Sequence, residues 1–179
     1  MSHVVIETPS NNFHIVNTTD VTTSSVTEPV PTVVKPSGTG VIEMGFNGGV
    51  APNGVMLVPY GVGSATNTFT LKVYGWRPTL GAQGTVLKDP LWVPFLLASF
   101  TCTLCTKTGV TSSDIDATHL FCDTIVLVTG NANVSNEIIS PTGNVIANII
   151  MDVKGVKLLE LRYATGGSAT SANCLAAEM

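Results

Sequence analysis

Charged side chains are scarce in this sequence. Only 11% of the 179 residues are Asp, Glu, Lys or Arg, whereas an ordinary soluble domain carries roughly 25%. The eight Lys and Arg residues are scattered and form no basic patch. Tight nucleic-acid binding depends on neutralising phosphates with clustered cations, so we expect no nucleic-acid partner.

The sequence also lacks long apolar runs and a secretion signal. No run approaches the roughly 18 apolar residues that cross a bilayer, and the start, MSHVVIETPSNN, has neither the charged region nor the apolar block of a signal peptide. We therefore expect no membrane span and a protein made and used without export. Disulfides are not expected in such a protein.

Helical patterning is nearly absent. No segment shows a sustained stripe of apolar residues at helical spacing with capping residues at its ends. The one helix-like stretch is SSDIDATHLF, at residues 112–121. The regular structure must therefore come from strands.

Strand patterning is frequent instead. Residues 67–76, NTFTLKVYGW, alternate strictly, with Phe69, Leu71 and Val73 on one face and Thr68, Thr70, Lys72 and Tyr74 on the other. Such alternation is typical of a half-buried strand in an antiparallel sheet.

Seven or eight such segments, separated by Gly, Asn and Pro turns, predict an all-β fold: an antiparallel β-sandwich or jelly roll over residues 41–179. We expect the strand at residues 55–61 to stop at Pro59. Residues 91–106 predict one long strand, or two with a bend at Pro94. The last segment, residues 168–179, predicts an edge strand or a terminal arm.

Residues 1–40 have a different composition. They are rich in Thr, Ser, Val and Pro, without a helical period, and Pro29, Pro31 and Pro36 favour extended backbone. Two interpretations are open: a disordered tail, or an extended N-terminal arm that lies across a neighbouring subunit. The valines favour the arm because a purely solvated tail needs few apolar anchors.

The cysteines and one histidine form the strongest chemical motif. Cys102, Cys105, His119 and Cys122 have spacings that a zinc knuckle or a redox pair would also have. However, residues three apart on a strand point to opposite faces, and no tight turn lies within CTLC. The motif therefore favours small buried thiols over a zinc site or a redox pair.

The other candidate sites are weak. His3, His14 and His119 are far apart, residues 114–119 lack a calcium loop, and the Gly-rich segments open no helix. We therefore predict no catalytic, cofactor-binding or metal-binding residues, no cofactor, and no enzymatic activity. Trp76 and Trp92 are expected in the core or at a subunit interface.

The order of the segments resembles a family of virion proteins. The blocks APNGVMLVPYGVGSATNTFTLKVYGWRP, LWVPFLLASFTCTL, DTIVL, NVIANIIMDVKGVKLLELRY and SANCLAAEM together resemble the small β-sandwich head decoration, or cement, proteins of tailed double-stranded DNA bacteriophages. The likeness covers residues 41–179. It implies a structural protein without catalytic residues, which binds the major capsid protein on the outer capsid surface, commonly as a trimer, and is made in the host cytoplasm.

Composition is compatible with that role. With 44% hydrophobic residues and few charges, the chain has more apolar surface than one small sandwich readily hides, which favours self-association. The alternative is a receptor- or carbohydrate-binding module of a phage tail or fibre, for which Trp76, Trp92 or Tyr60 would have to be exposed. A third possibility is a small zinc-dependent or hydrolytic enzyme.

Overall fold

The strands account for most of the structure. The computed structural model describes residues 13–17, 28–38, 40–44, 54–79, 91–108, 119–131, 136–139, 146–153, 156, 158–165, 169 and 171–178. The ten strands in these residues are β1 (Phe13–Asn17), β2 (Val41–Glu43), β3 (Gly54–Val62), β4 (Thr68–Thr79), β5 (Leu91–Thr108), β6 (His119–Gly130), β7 (Asn136–Ile139), β8 (Asn148–Asp152), β9 (Leu158–Thr165) and β10 (Ser171–Glu178).

All strand pairs are antiparallel. The main path of the sheet is β1-β10-β3-β6-β5-β4-β9-β2, and β8 joins β3 to β7 off this path. The sheet curls, and the described residues contain no helix. The predicted fold class, an all-β antiparallel sandwich of jelly-roll type, is confirmed. None of the described residues forms a helix that is long and apolar enough to cross a membrane.

Strand β3 connects the two halves of the curled sheet. One of its edges pairs with β10 from Val55 to Val62. The other edge pairs with β8 as far as Leu57 and with β6 from Tyr60 onward. Pro59 lies where β3 changes partner, and a proline has no N–H to donate to a ladder. The expectation that Pro59 ends the strand is therefore wrong: it marks the change of partner.

The alternation in β4 is confirmed in the first half of the strand. Phe69, Leu71 and Val73 are almost fully buried in the main core, and the intervening Thr and Lys side chains are half-buried. The second half differs, because Tyr74 and Trp76 are also buried, on the opposite face. A register shift between Val73 and Tyr74 leaves Leu97 of β5 without an opposite residue.

The main core lies between the inner faces of the curled sheet. Its largest fully buried side chains come from β3, β4, β5, β8 and β9, and include Leu57, Phe69, Leu71, Phe100, Leu104, Ile149, Met151, Leu159 and Leu161. A second, smaller cluster lies on the other face of β3, where Tyr60 packs on Phe121 with ring centroids 5.9 Å apart.

Of two other predictions, one alternative for residues 91–106 is confirmed and the expectation for the C-terminal segment is wrong. The segment from Leu91 is one continuous strand of 18 residues. The C-terminal segment is not an edge, because β10 lies between β1 and β3. Within the N-terminal forty residues, Phe13–Asn17 pairs with β10. Most of the helix-like stretch at residues 112–121 lies outside the described residues, and its last residues belong to β6.

Replacing Phe100 by Ala should test this core. Phe100 is fully buried in β5, so the change removes apolar contacts and leaves a cavity, at a cost of about 3–5 kcal/mol. Val33→Ala, at an exposed position, should change the free energy of unfolding by less than about 0.5 kcal/mol. Urea unfolding measures both, and equal effects would contradict the placement of the core.

Candidate functional site

A compact cluster of polar and aromatic side chains lies on the outer face of β4 and β9. The antiparallel register places Tyr74 directly opposite Glu160. Trp76 and Arg162 are the next residues on the same face, because side chains two apart share a face. We call Tyr74, Trp76, Glu160 and Arg162 the β4–β9 cluster.

The carboxylate of Glu160 organises this cluster. Its Oε2 atom accepts a hydrogen bond of 2.8 Å from the Trp76 indole, and its Oε1 atom accepts bonds of 2.7 Å and 2.6 Å from Nε and Nη2 of Arg162. Glu160 is 9% exposed. A buried carboxylate is tolerated when it is paired and hydrogen-bonded, so the three donors fix its position and that of the indole.

The hydroxyl of Tyr74 is buried beside this carboxylate. Its oxygen has no hydrogen-bond partner among the described residues. Burial raises the pKa of the Tyr74 phenol, the nearby Glu28 carboxylate raises it further, and the Arg162 guanidinium opposes the shift. A buried, unpaired hydroxyl costs about 1–3 kcal/mol, and this cost makes Tyr74 unusual in the cluster.

Residues 28–38, which we call the arm segment, attach to the body beside this cluster. Thr32 and Trp92 exchange both backbone hydrogen bonds, at 3.0 Å and 2.7 Å. Lys35 forms an ion pair of 2.7 Å with Glu43 of β2. Both ion-pair side chains are largely exposed, so this pair contributes at most about 1 kcal/mol. The arm segment is therefore held chiefly by one backbone bridge.

Prolines explain why this bridge stays isolated. The N–H and C=O of Trp92 both face Thr32, so the backbone of Pro94, two residues along β5, faces the same side. Pro94 has no N–H and cannot continue the exchange of bonds. In an extended arm segment, the backbone nitrogens of Pro29 and Pro31 face away from Trp92, on the edge opposite to that of Thr32. Because proline has no N–H, this outer edge lacks two hydrogen-bond donors.

The apolar side chains of the arm segment point away from the body. Val30, Val33 and Val34 are between 55% and 72% exposed, whereas Pro29 and Thr32 are half-buried. Exposed valines scattered singly are ordinary, but three within five residues form a local apolar strip. If another protein covers this strip, burial of each valine can stabilise the contact by about 1 kcal/mol or more.

The cysteines come together in a way that their sequence spacing does not indicate. All four are free and buried, as the buried-thiol interpretation predicts. Cys102 of β5 forms a hydrogen bond with Cys122 of β6, and Cys174 of β10 lies near both. Cys105 is not part of this group. The closest partners of Cys102 thus come from other strands and not from its own CTLC motif.

Burial governs the chemistry of these thiols. It raises the pKa of the Cys102 thiol, and the hydrogen bond with Cys122 raises it further. Burial likewise raises the pKa of Cys174, whose Sγ donates to the Leu175 carbonyl at 3.3 Å. A thiol is nucleophilic only as the thiolate, so burial and the raised pKa both disfavour reaction at Cys102 and Cys174 in the folded protein.

The remaining predicted candidates do not assemble. The side chain of His119 and residues 114–118 lie outside the described part of the chain. Across the described ranges, no three His, Cys, Asp or Glu residues are grouped so that they could hold a metal ion. Trp76 and Tyr60 are buried and Trp92 is half-buried, so the first two cannot form an exposed platform for a sugar.

The β4–β9 cluster was not predicted from the sequence. The signal was available in residues 158–163, LLELRY, where Glu160 and Arg162 are two apart and so share one face of a strand. A charged pair on the face opposite a run of buried leucines indicates an ion pair. Its burial could not be read from the spacing, because it depends on Trp76 in another strand.

Comparison of the chain with protein-family models, with characterised proteins and with solved structures gives no match.

Raised thiol pKa values predict a pH dependence of stability. Above the ordinary thiol pKa of about 8.5, the unfolded chain releases thiol protons that the native state retains at Cys102 and Cys174. The free energy of unfolding should therefore fall as the pH rises from about 8 to 10. The double variant Cys102→Ala/Cys174→Ala should show a shallower fall in urea unfolding series, although its absolute stability is lower. Parallel curves would contradict this account.

Removing the cation of the β4–β9 cluster should destabilise the fold. Arg162→Met leaves the Glu160 carboxylate without its counter-charge. We expect a loss of about 2 kcal/mol, below the 3–5 kcal/mol of a fully buried pair, because the Arg162 side chain is 28% exposed.

Adding Glu160→Gln to Arg162→Met should recover part of the loss, since a neutral amide still accepts the Trp76 bond and needs no counter-charge. Urea unfolding of the two single variants and the double variant measures the coupling. Strictly additive losses would show that Glu160 and Arg162 do not depend on each other.

Proposed function

We propose that this protein is a structural virion component that decorates and stabilises a bacteriophage capsid. It binds the major capsid protein on the outer surface of the shell and bridges neighbouring capsid subunits. It acts as a homotrimer and performs no enzymatic reaction. The major capsid protein is proposed as the partner because residues 41–179 resemble head decoration proteins.

The arm segment is the observation that carries this proposal. Val30, Val33 and Val34 face outward, while the backbone of the segment is held by a single bridge to Trp92. The valines contribute little to the folding of the isolated chain, because they remain exposed. They become useful when another protein covers them.

The rest of the segment is suited to this use. Its prolines restrict the free chain, so less conformational entropy is lost when the segment becomes ordered on a partner. The position of the bridge matters too: the indole of Trp92 is half-buried and lies next to the exposed strip. The arm segment and the start of β5 can therefore form one contact surface.

Contact energy alone is sufficient for the proposed mechanism. A standard protein interface buries roughly 1,600 Å² in total. Copies that are fixed in a lattice gain further from effective concentration, since each bound trimer contacts several capsid subunits at once. Low charge density makes this binding insensitive to salt, because few ion pairs are available to screen.

The first test is the presence of the chain in purified particles. Mass spectrometry of gradient-purified virions of the phage that encodes it should detect the protein in stoichiometric amounts. Gold-labelled antibodies should mark the head in electron micrographs. Absence from the particles would overturn the proposal, and labelling of the tail or fibres would favour the receptor-binding alternative.

The second test addresses the valines directly. The triple variant Val30→Ser/Val33→Ser/Val34→Ser should bind particles that lack the protein about 100-fold more weakly than the native chain. This estimate takes about 1 kcal/mol of lost burial per valine. Its thermal melt should stay unchanged, because these side chains are exposed.

A matched control keeps the apolar character of the strip. Val30→Ile/Val33→Ile/Val34→Ile preserves branched apolar side chains at the same three positions and should bind like the native chain. Co-sedimentation with particles measures all three proteins. Native-strength binding by the serine variant would exclude the arm segment as the contact surface.

A further inference from the structure

The second half of β6 leaves one backbone edge unpaired. Residues 124–130, which we call the β6 edge, pair with β5 on one side. On the opposite side, β3 pairs only with residues 119–121, and Ala147 donates to the Cys122 carbonyl. Beyond that point, no strand among the described residues pairs with the β6 edge.

The side chains along this edge are apolar and exposed. Val126, Leu127 and Val128 are between 42% and 60% exposed. Together with the three arm valines they are all the exposed large apolar side chains of the described residues. A free strand edge with apolar side chains is a template for pairing with another strand.

Three other edges of the described sheet, though not the short terminal strand β1, are protected against such pairing. Strand β2 has three residues and ends in the exposed Glu43. Strand β7 has four residues and includes Glu137. The arm segment has Pro29 and Pro31 on its outer side. The sequence of the β6 edge, TIVLVTG, contains neither a charge nor a proline, the two devices that usually block an edge.

We propose that the β6 edge is a two-fold pairing site for a second copy of this chain. Each copy adds its β6 edge, antiparallel, to that of the other, so that the two sheets become continuous. A two-fold contact requires a surface that is complementary to itself. An uncharged row of apolar and Thr side chains meets this requirement, because no like charges are brought together.

The register of β6 locates the symmetry axis. Register shifts in the β5–β6 ladder leave Asp123 and Val128 without opposite residues, so residues 124–127 form the regular stretch between two bulges. An axis at Val126 pairs this residue with itself and Ile125 with the second copy's Leu127. Asp123 then lies opposite the second copy's Thr129, which avoids repulsion between two carboxylates.

This contact is independent of the proposed capsid function and goes beyond it. A two-fold contact cannot close a trimer, so pairing through the β6 edge makes a dimer of single chains or joins two trimers side by side. Pairing and attachment therefore use different surfaces: the β6 edge for the second copy, and the arm segment for the shell.

Single-cysteine cross-linking tests the geometry. Residues that pair with themselves across an antiparallel axis have Cα atoms about 4.5–5.5 Å apart, within the range of a disulfide. In the full-length chain, Val126→Cys under mild oxidation should give a covalent dimer in at least about five-fold higher yield than Val34→Cys, a control at a more exposed position. The four native thiols are buried and should not contribute.

Sedimentation of a charged variant tests the energetics. Val126→Lys places like charges at the axis and should halve the mass measured at micromolar concentration, while its far-ultraviolet circular dichroism spectrum stays that of the native chain. Its thermal melt should fall, because pairing stabilises the folded state by mass action. Val34→Lys should keep the native mass. If Val126→Cys cross-links no better than its control, or if Val126→Lys leaves the mass unchanged, the pairing site is wrong. If Val126→Lys loses half of its mass and still sediments as a trimer, the two-fold contact is lost while the trimer of the proposed function remains. The two proposals can therefore fail separately.

Discussion

The ladder between β4 and β5 is the constraint on which the rest of the structure depends. It joins 12 residue pairs, from Thr68 with Thr103 to Thr79 with Leu91, and β4 gives its other edge to β9. The remaining edge of β5 is divided, because β6 occupies it from Ala98 onward and Thr32 pairs near its start. The arm segment and β6 therefore lie along one edge, which carries every exposed large apolar side chain of the described residues.

Close packing on both faces of this ladder explains its second half. Gly75 is opposite Phe95, and a methyl group added at Gly75 would lie 2.6 Å from the Phe95 ring. The Arg77 guanidinium lies over the same ring, 4.6 Å from its centroid. On the opposite face, Trp76 donates to Glu160. Glycine here permits the ring to approach, and the ring in turn replaces the side chain that glycine lacks.

Local alternation predicted the strands but not their neighbours. The period of two in residues 67–76 correctly placed Phe69, Leu71 and Val73 in the core, because that pattern depends on one strand and one buried face. The order of strands, the position of β10 inside the sheet and the meeting of Cys102 with Cys174 depend on pairings between distant segments. Proline shows the same limit: Pro59 indicated a strand end, yet β3 continues through it, at the point where β8 is replaced by β6 along one edge.

Some of the few charged residues of the chain lie where they protect open strand edges. With only 11% charged residues, the chain cannot protect every edge with Lys or Glu, and it uses them where a short strand or the arm segment would otherwise be open, as at Glu43 and Lys35. One buried pair, Glu160 with Arg162, fixes the outer face of β9. The β6 edge has neither charge nor proline. The edges at β2 and at the arm segment carry a charge or prolines, whereas the β6 edge is apolar and exposed, so it is a surface that pairing with a second strand covers.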